Sequence, residues 1–131
     1  MIALDTDILI DVLRGNDAAR TWFTSATGLL LPGHVMMELI QGCADQREVA
    51  RLQRSTKALA VIWPTQSDCD RALTTYASLR LSSGIGMINC LIAQTAIGHG
   101  LRLASFKGKH YAGVKELSVF EPYVRSLATG L

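Results

Sequence analysis

M-I-A-L-D-T-D-I-L-I-D-V-L, residues 1–13, holds two structural elements and the residue that joins them. Met1 to Leu4 is a short apolar run that predicts a buried strand. Ile8, Leu9, Val12 and Leu13 recur at helical spacing, and Arg14-Gly15-Asn16 ends that helix. Asp5 stands where the strand hands over to the helix. That is the C-terminal edge of a sheet, where open α/β sheets place their chemistry.

The same alternation continues downstream. Residues 17–25 predict a second helix, and Leu29-Leu30-Leu31 a strand stopped by Pro32-Gly33. A helix from about His34 to Gln41 follows, with Val35, Leu39, Met36 and Ile40 as its apolar face. Residues 45–57 read as an amphipathic, partly exposed helix. Ala58 to Trp63 reads as a strand. A long helix capped by Ser67 or Asp68 runs to Leu79 or Leu81 and is broken by Ser82-Ser83-Gly84. Ile88 to Gly98 is apolar nearly all round and is expected to be central. Leu101 to Ser105 and Leu117 to Phe120 complete the strands. Short apolar runs alternating with helices require right-handed crossovers and a mostly parallel sheet. The expected architecture is therefore α/β, with four to five short strands flanked by helices. The 131 residues are expected to form one domain, with a frayed tail from about Ser126.

Composition narrows the function classes. Apolar residues make up 49% and charged residues 18%, so the chain should fold. A net charge of +2 permits a nucleic-acid partner without arguing for one. No apolar run approaches the roughly 20 residues that span a bilayer. The first residues lack a basic region, and Asp5, Asp7 and Asp11 interrupt any signal core, so a cytoplasmic protein is expected. Cys43, Cys69 and Cys90 have no C-x-x-C spacing and are expected to be free thiols.

Three positions carry the candidate chemistry: Asp5, Glu38 within the third helix, and Asn89 opening the central helix. Taken singly, Asp5 and Asn89 are good helix caps. A first-turn acid such as Asp7 is equally well explained as solvated, and Asp11 as a surface residue or a partner for Arg14. Together, Asp5, Glu38 and Asn89 fall where the C-terminal edge of a parallel sheet brings residues together. Clustered acids normally hold a hard cation, because unpaired buried charge is costly. Mg²⁺ or Mn²⁺ takes oxygen ligands, keeps several waters and needs only one or two carboxylates.

The segments L-D-T-D-I-L-I-D (4–11), M-E-L-I-Q-G (37–42), G-I-G-M-I-N-C-L-I-A-Q-T-A (84–96) and L-A-S-F-K-G-K-H-Y (103–111) resemble the PIN domain. More closely, they resemble the VapC toxins of bacterial toxin–antitoxin pairs. The resemblance covers nearly the whole chain in order. It implies a PIN-like three-layer fold and Mg²⁺-dependent (or Mn²⁺-dependent) hydrolysis of RNA. It further implies a homodimer and a small antitoxin whose tail enters the active-site groove. By position, Asp5 matches the first family acid, a metal ligand. Glu38 matches the second, which acts on the metal or its waters. Asn89 matches the third, which is normally aspartate.

Further departures follow. Lys107 stands where the family often has Asn, and His110 at or near its fourth acid. Asp7, Lys107 and His110 are the candidates to stand behind the ligands or to contact phosphate. Asp to Asn is nearly isosteric but removes one charge and one ligating oxygen, so metal affinity and activity are expected to fall. Two origins for Asn89 are open, an introduced change or a natural loss of cleavage; Lys107 argues for the latter. The competing expectation is a catalytically dead PIN module that binds RNA or antitoxin by occupancy. A flavodoxin-type domain lacks support, because Asp5-Thr6-Asp7 replaces the Gly-rich loop after strand one.

Overall fold

The computed structural model describes residues 1–125; the tail expected to fray, 126–131, lies outside the described residues. Twelve elements follow in chain order: β1 (Ile2–Leu4), α1 (Thr6–Leu13), α2 (Asp17–Ser25), β2 (Leu29–Pro32), α3 (Gly33–Gln41), α4 (Gln46–Thr56), β3 (Ala60–Ile62), α5 (Gln66–Ser83), α6 (Met87–Gly98), β4 (Arg102–Ala104), α7 (Gly108–Tyr111) and β5 (Val119–Phe120). The sheet is parallel throughout, in the order β3-β2-β1-β4-β5.

That order has one decisive consequence. The chain builds leftwards from β1 to β2 and β3, then crosses back to β4 and β5 on the other side. The reversal lies between β1 and β4, and an open parallel sheet leaves a crevice outside the strand ends at such a point. β1 ends at Leu4 and β4 at Ala104, which are register partners. Asp5 and Ser105 therefore face each other across this crevice, and the Asp5 amide donates to the Ala104 carbonyl at 3.1 Å.

The central strands are buried because both faces are covered: Ala3, Leu4, Leu31, Leu103 and Ala104 are all within 1% of full burial. β3 is a short edge strand, and Val61 is 48% exposed. α6 is the central helix that its all-round apolar sequence predicts, with Cys90, Ile92, Ala93 and Ala96 buried. α5 packs along it, and a polar clamp fixes the pair. Arg71 ion-pairs with Asp68 and donates to Gln94 Oε1 at 3.1 Å, while Gln94 donates to Thr75. Among the described residues, no helix is long and apolar enough to cross a membrane.

The structure differs from the sequence reading in several places. The α5 cap is Thr65, which forms a reciprocal capping box with Asp68. The helix continues to Ser83 and stops at Gly84, whose φ of 71° suits the left-handed C-cap. Ile40 does not join the apolar face of α3; it is 38% exposed. Asp11 does not pair with Arg14. Instead the chain after β5 crosses α1, and Tyr123 and Arg125 donate to Asp11 at 2.7 and 2.9 Å. All three cysteines are free: Cys90 is buried, Cys43 and Cys69 half-buried.

Candidate active site

The sheet-edge crevice is built around Asp5. The residue has extended backbone, follows β1, and caps α1 by accepting from the Thr6 amide at 2.8 Å. Its carboxylate is fully buried. The other oxygen accepts from the Ser105 hydroxyl at 2.7 Å and the Tyr111 hydroxyl at 3.1 Å. Three donors thus replace the lost water of a buried anion. Asp5 is thus a helix cap and, at the same time, the hub of a buried set of hydrogen bonds.

Glu38 and Asn89 reach this carboxylate through one intermediary each. Thr6 bridges to Glu38, donating from its hydroxyl to Oε1 at 2.8 Å. Tyr111 bridges to Asn89, whose Oδ1 lies 3.3 Å from the phenolic oxygen. Residues from α3, α1 and its cap, α7 and α6 therefore form one chain of contacts: Glu38, Thr6, Asp5, Tyr111, Asn89. Asn89 is not the cap of α6. Gly86 holds that position, and Asn89 lies in the first turn with its side chain towards Tyr111.

Asp7 is neither solvated nor idle. Its Oδ2 accepts from the Phe106 amide at 2.8 Å, clamping the β4–α7 turn to α1, while its Oδ1 is buried without a partner. Burial, then the charge of Asp5, raises its pKa above the ordinary 3.8, although the Phe106 amide, Lys107 and Arg125 oppose this. The folded chain therefore holds the Asp7 proton more tightly than the unfolded chain. Stability falls as pH rises from the ordinary value through the raised one, and the penalty is full above it. Asp7→Asn is expected to raise the Tm at pH 7, with the gain shrinking to nothing below about pH 4. Thermal melts of both proteins across that range check this; a Tm difference independent of pH would refute it.

Lys107 is half-buried and caps α7, its amide donating to the Ser105 hydroxyl at 3.0 Å. Its ammonium makes no ion pair among the described residues, but it stands near enough to Asp7 to act on it. His110 is exposed. The side chain that enters the site from α7 is its neighbour Tyr111, 2% exposed. Burial, then Asp5, raises the phenol pKa far above its usual value, so the hydroxyl remains a donor. Sequence reasoning missed Thr6, Ser105 and Tyr111. The only available signal was the K-H-Y segment, in which His110 drew the attention.

Next to Glu38 opens a cavity of about 520 Å³ between α1, α3 and α4. Ile10, Leu13, Leu39 and Leu52 give it apolar walls, and Arg14 and Arg51 line it together with Glu38 and Glu48.

No three Asp, Glu, His or Cys side chains among the described residues stand close enough to hold a metal ion. At position 89 the side chain is an amide, and Glu38 meets Asp5 only through Thr6. What remains is the Asp5 carboxylate with one lone-pair direction uncommitted, the free Oε2 of Glu38 and one amide oxygen. That donor set fits a hydrated hard cation, which needs only one or two carboxylates, more weakly than three acids would.

A doubly wound parallel α/β domain with a buried acid at its switch point defines a class of fold rather than one activity. The particular family follows from comparison: the PIN domain model matches residues 2–117, and the chain belongs to the PIN-domain family. It is 36% identical over 125 residues to the ribonuclease VapC10 of Mycobacterium tuberculosis, covering 89% of this chain and 90% of that one. Among solved structures, a DNA-bound VapBC from Salmonella typhimurium superposes with a TM-score of 0.80 at 20% identity, over 92% of this chain and 97% of that one. A toxin–antitoxin complex from Klebsiella pneumoniae gives 0.76 at 23% identity, over 95% and 100%. At such identities the structural likenesses establish the fold.

Proposed function

We propose that this chain is a toxin-type endoribonuclease of the VapC kind, paired with an antitoxin, and that Asn89 weakens its cleavage. The observation that carries this reading is the continuous linkage of Asp5, Glu38 and position 89 at the switch point. The kinship with VapC10 supports it independently. Mg²⁺ or Mn²⁺ held by Asp5, Glu38 and the Asn89 amide oxygen would supply positive charge that stabilises the phosphodiester as it is attacked by water.

The protein's own residues have separable roles. Thr6 holds one oxygen of Glu38, which leaves the other free to take a proton from the attacking water. Ser105 and the Thr6 amide fix Asp5. Arg14 and Arg51, which share the adjoining cavity with Glu38 and Glu48, offer guanidinium donors to the phosphates of an RNA strand or the acidic groups of an antitoxin tail. Exposed Met37 and Ile40 on α3, with Leu73 and Leu81 on α5, fit the homodimer expected of the family. α4 offers no such face, since Leu52 is buried.

The test is RNA cleavage by the purified chain at fixed salt, with Mg²⁺, with Mn²⁺ and with EDTA. Glu38→Gln is the suitable blank, because its amide oxygen preserves the Thr6 hydrogen bond. Weak cleavage that EDTA and Glu38→Gln both abolish is expected. Cleavage that survives both would overturn the reading. A second reading rests on Asn89 itself: a PIN module that binds RNA or antitoxin without cutting. Binding with no cleavage under any metal condition selects it.

A further inference from the structure

The Tyr111 hydroxyl has one proton and two neighbours, Asp5 Oδ2 at 3.1 Å and Asn89 Oδ1 at 3.3 Å. The carboxylate is closer and is the stronger acceptor, so the proton goes to Asp5. The lone pairs of the hydroxyl then face residue 89. An aspartate there would bring more lone pairs against them, with no proton between. An asparagine resolves the conflict by turning its amide over, which swaps the oxygen for an NH₂ donor in nearly the same volume.

We propose that Asn89 and Tyr111 form a matched pair: Asn89 donates to Tyr111, Tyr111 donates to Asp5, and this relay closes the space between the two ligand positions without a cation. It rests on the reading of Asp5 and position 89 as a cation site. On this view Asn89 is more than a missing acid. It completes a hydrogen-bond chain that aspartate cannot complete, and a cation approaching from the Asn89 side must compete with the Tyr111 hydroxyl for Asp5 Oδ2. The competition is firm because Tyr111 cannot easily withdraw. It is buried, and the turns around it are closed by its own amide to the Lys107 carbonyl and by the Val114 amide to its carbonyl. Phenylalanine would fill the same space without the hydroxyl, so Tyr111 acts as a positioning residue.

The test uses the full chain and its Tyr111→Phe, Asn89→Asp and double variants, without RNA. Mn²⁺ binding is read by calorimetry and by the Mn²⁺ paramagnetic signal, and metal-free stability by thermal melting. Mn²⁺ should bind Asn89→Asp about tenfold or more tightly than the parent chain. Tyr111→Phe should tighten Mn²⁺ binding by about three- to tenfold, since it frees one lone pair of Asp5 Oδ2 while Ser105 keeps the other. Metal-free, Tyr111→Phe should lower the Tm by about 5 °C in the parent and by clearly less in the Asn89→Asp background, a coupling that a purely structural tyrosine would not show.

Weaker Mn²⁺ binding by Tyr111→Phe would overturn the proposal, because Tyr111 would then orient Asp5 for the cation, as supporting hydrogen-bond donors do. Additive effects at 89 and 111, or no Mn²⁺ binding by any of the four proteins, would overturn it too. The nuclease reading fails separately: proteins that bind Mn²⁺ in the expected order but cut no RNA keep this inference and remove that one.

Discussion

Asn89→Asp is expected to raise Mg²⁺-dependent RNA cleavage about 100-fold, starting from weak or undetectable cutting by the parent chain. The substitution is nearly isosteric and falls in the first turn of α6, where a carboxylate also suits the positive end of the helix. It adds one negative charge and a second ligating oxygen beside Asp5. Unit charges about 4 Å apart interact by about 4 kcal/mol at the effective dielectric of a protein surface, which leaves ample room for two decades in rate after desolvation. Cleavage by parent and variant, side by side with Mg²⁺ and with EDTA, measures the effect. Equal rates would show that position 89 does not limit the reaction. No cleavage by either would favour the module that binds without cutting.

Gly98→Ala is expected to be the most damaging small substitution, costing about 3 kcal/mol and lowering the Tm by roughly 10 °C. A Cβ at Gly98 would stand 2.0 Å from Asp68 Oδ1, far inside any contact distance. Asp68 cannot step aside cheaply. It is 3% exposed, accepts the Thr65 amide in the α5 capping box, and holds Arg71. Making room at 98 therefore breaks the cap and the clamp together. Chemical denaturation of the variant checks the magnitude, and Asp68→Ala beside it should relieve the clash, so that the double variant is more stable than the sum of single losses predicts. A Gly98→Ala protein as stable as the parent would show that α5 and α6 are less tightly apposed than described.

How much of this was legible in sequence depends on the range of the interaction. Asp5 was legible because a strand, a cap and a helix follow one another within thirteen residues. The centrality of α6 was legible because a helix that is apolar on every side must be surrounded. The strand–helix pattern singled out Glu38 and Asn89, and family resemblance gave them their weight; alone, Asn89 would have passed for a helix cap, a position that Gly86 occupies. α7 escaped notice because its four residues carry no readable period. Asp11 shows the same limit: Arg14 at i+3 was the local choice, but Tyr123, 112 residues away, and Arg125 take the contact.

By itself, then, the sequence determined the alternation of strands and helices, hence a parallel α/β sheet, and put an acid at the end of its first strand. Only the tertiary structure decided that β1 and β4 are neighbours, so that the crevice opens between them and Ser105, Tyr111 and Asn89 converge on Asp5. The physical reason is that periodicity and capping act over a few residues. Strand order is set by how the whole set of apolar faces can be buried at once, and the hydrogen bond from Ser105 to Asp5, 100 residues apart in sequence, exists only once that order is fixed.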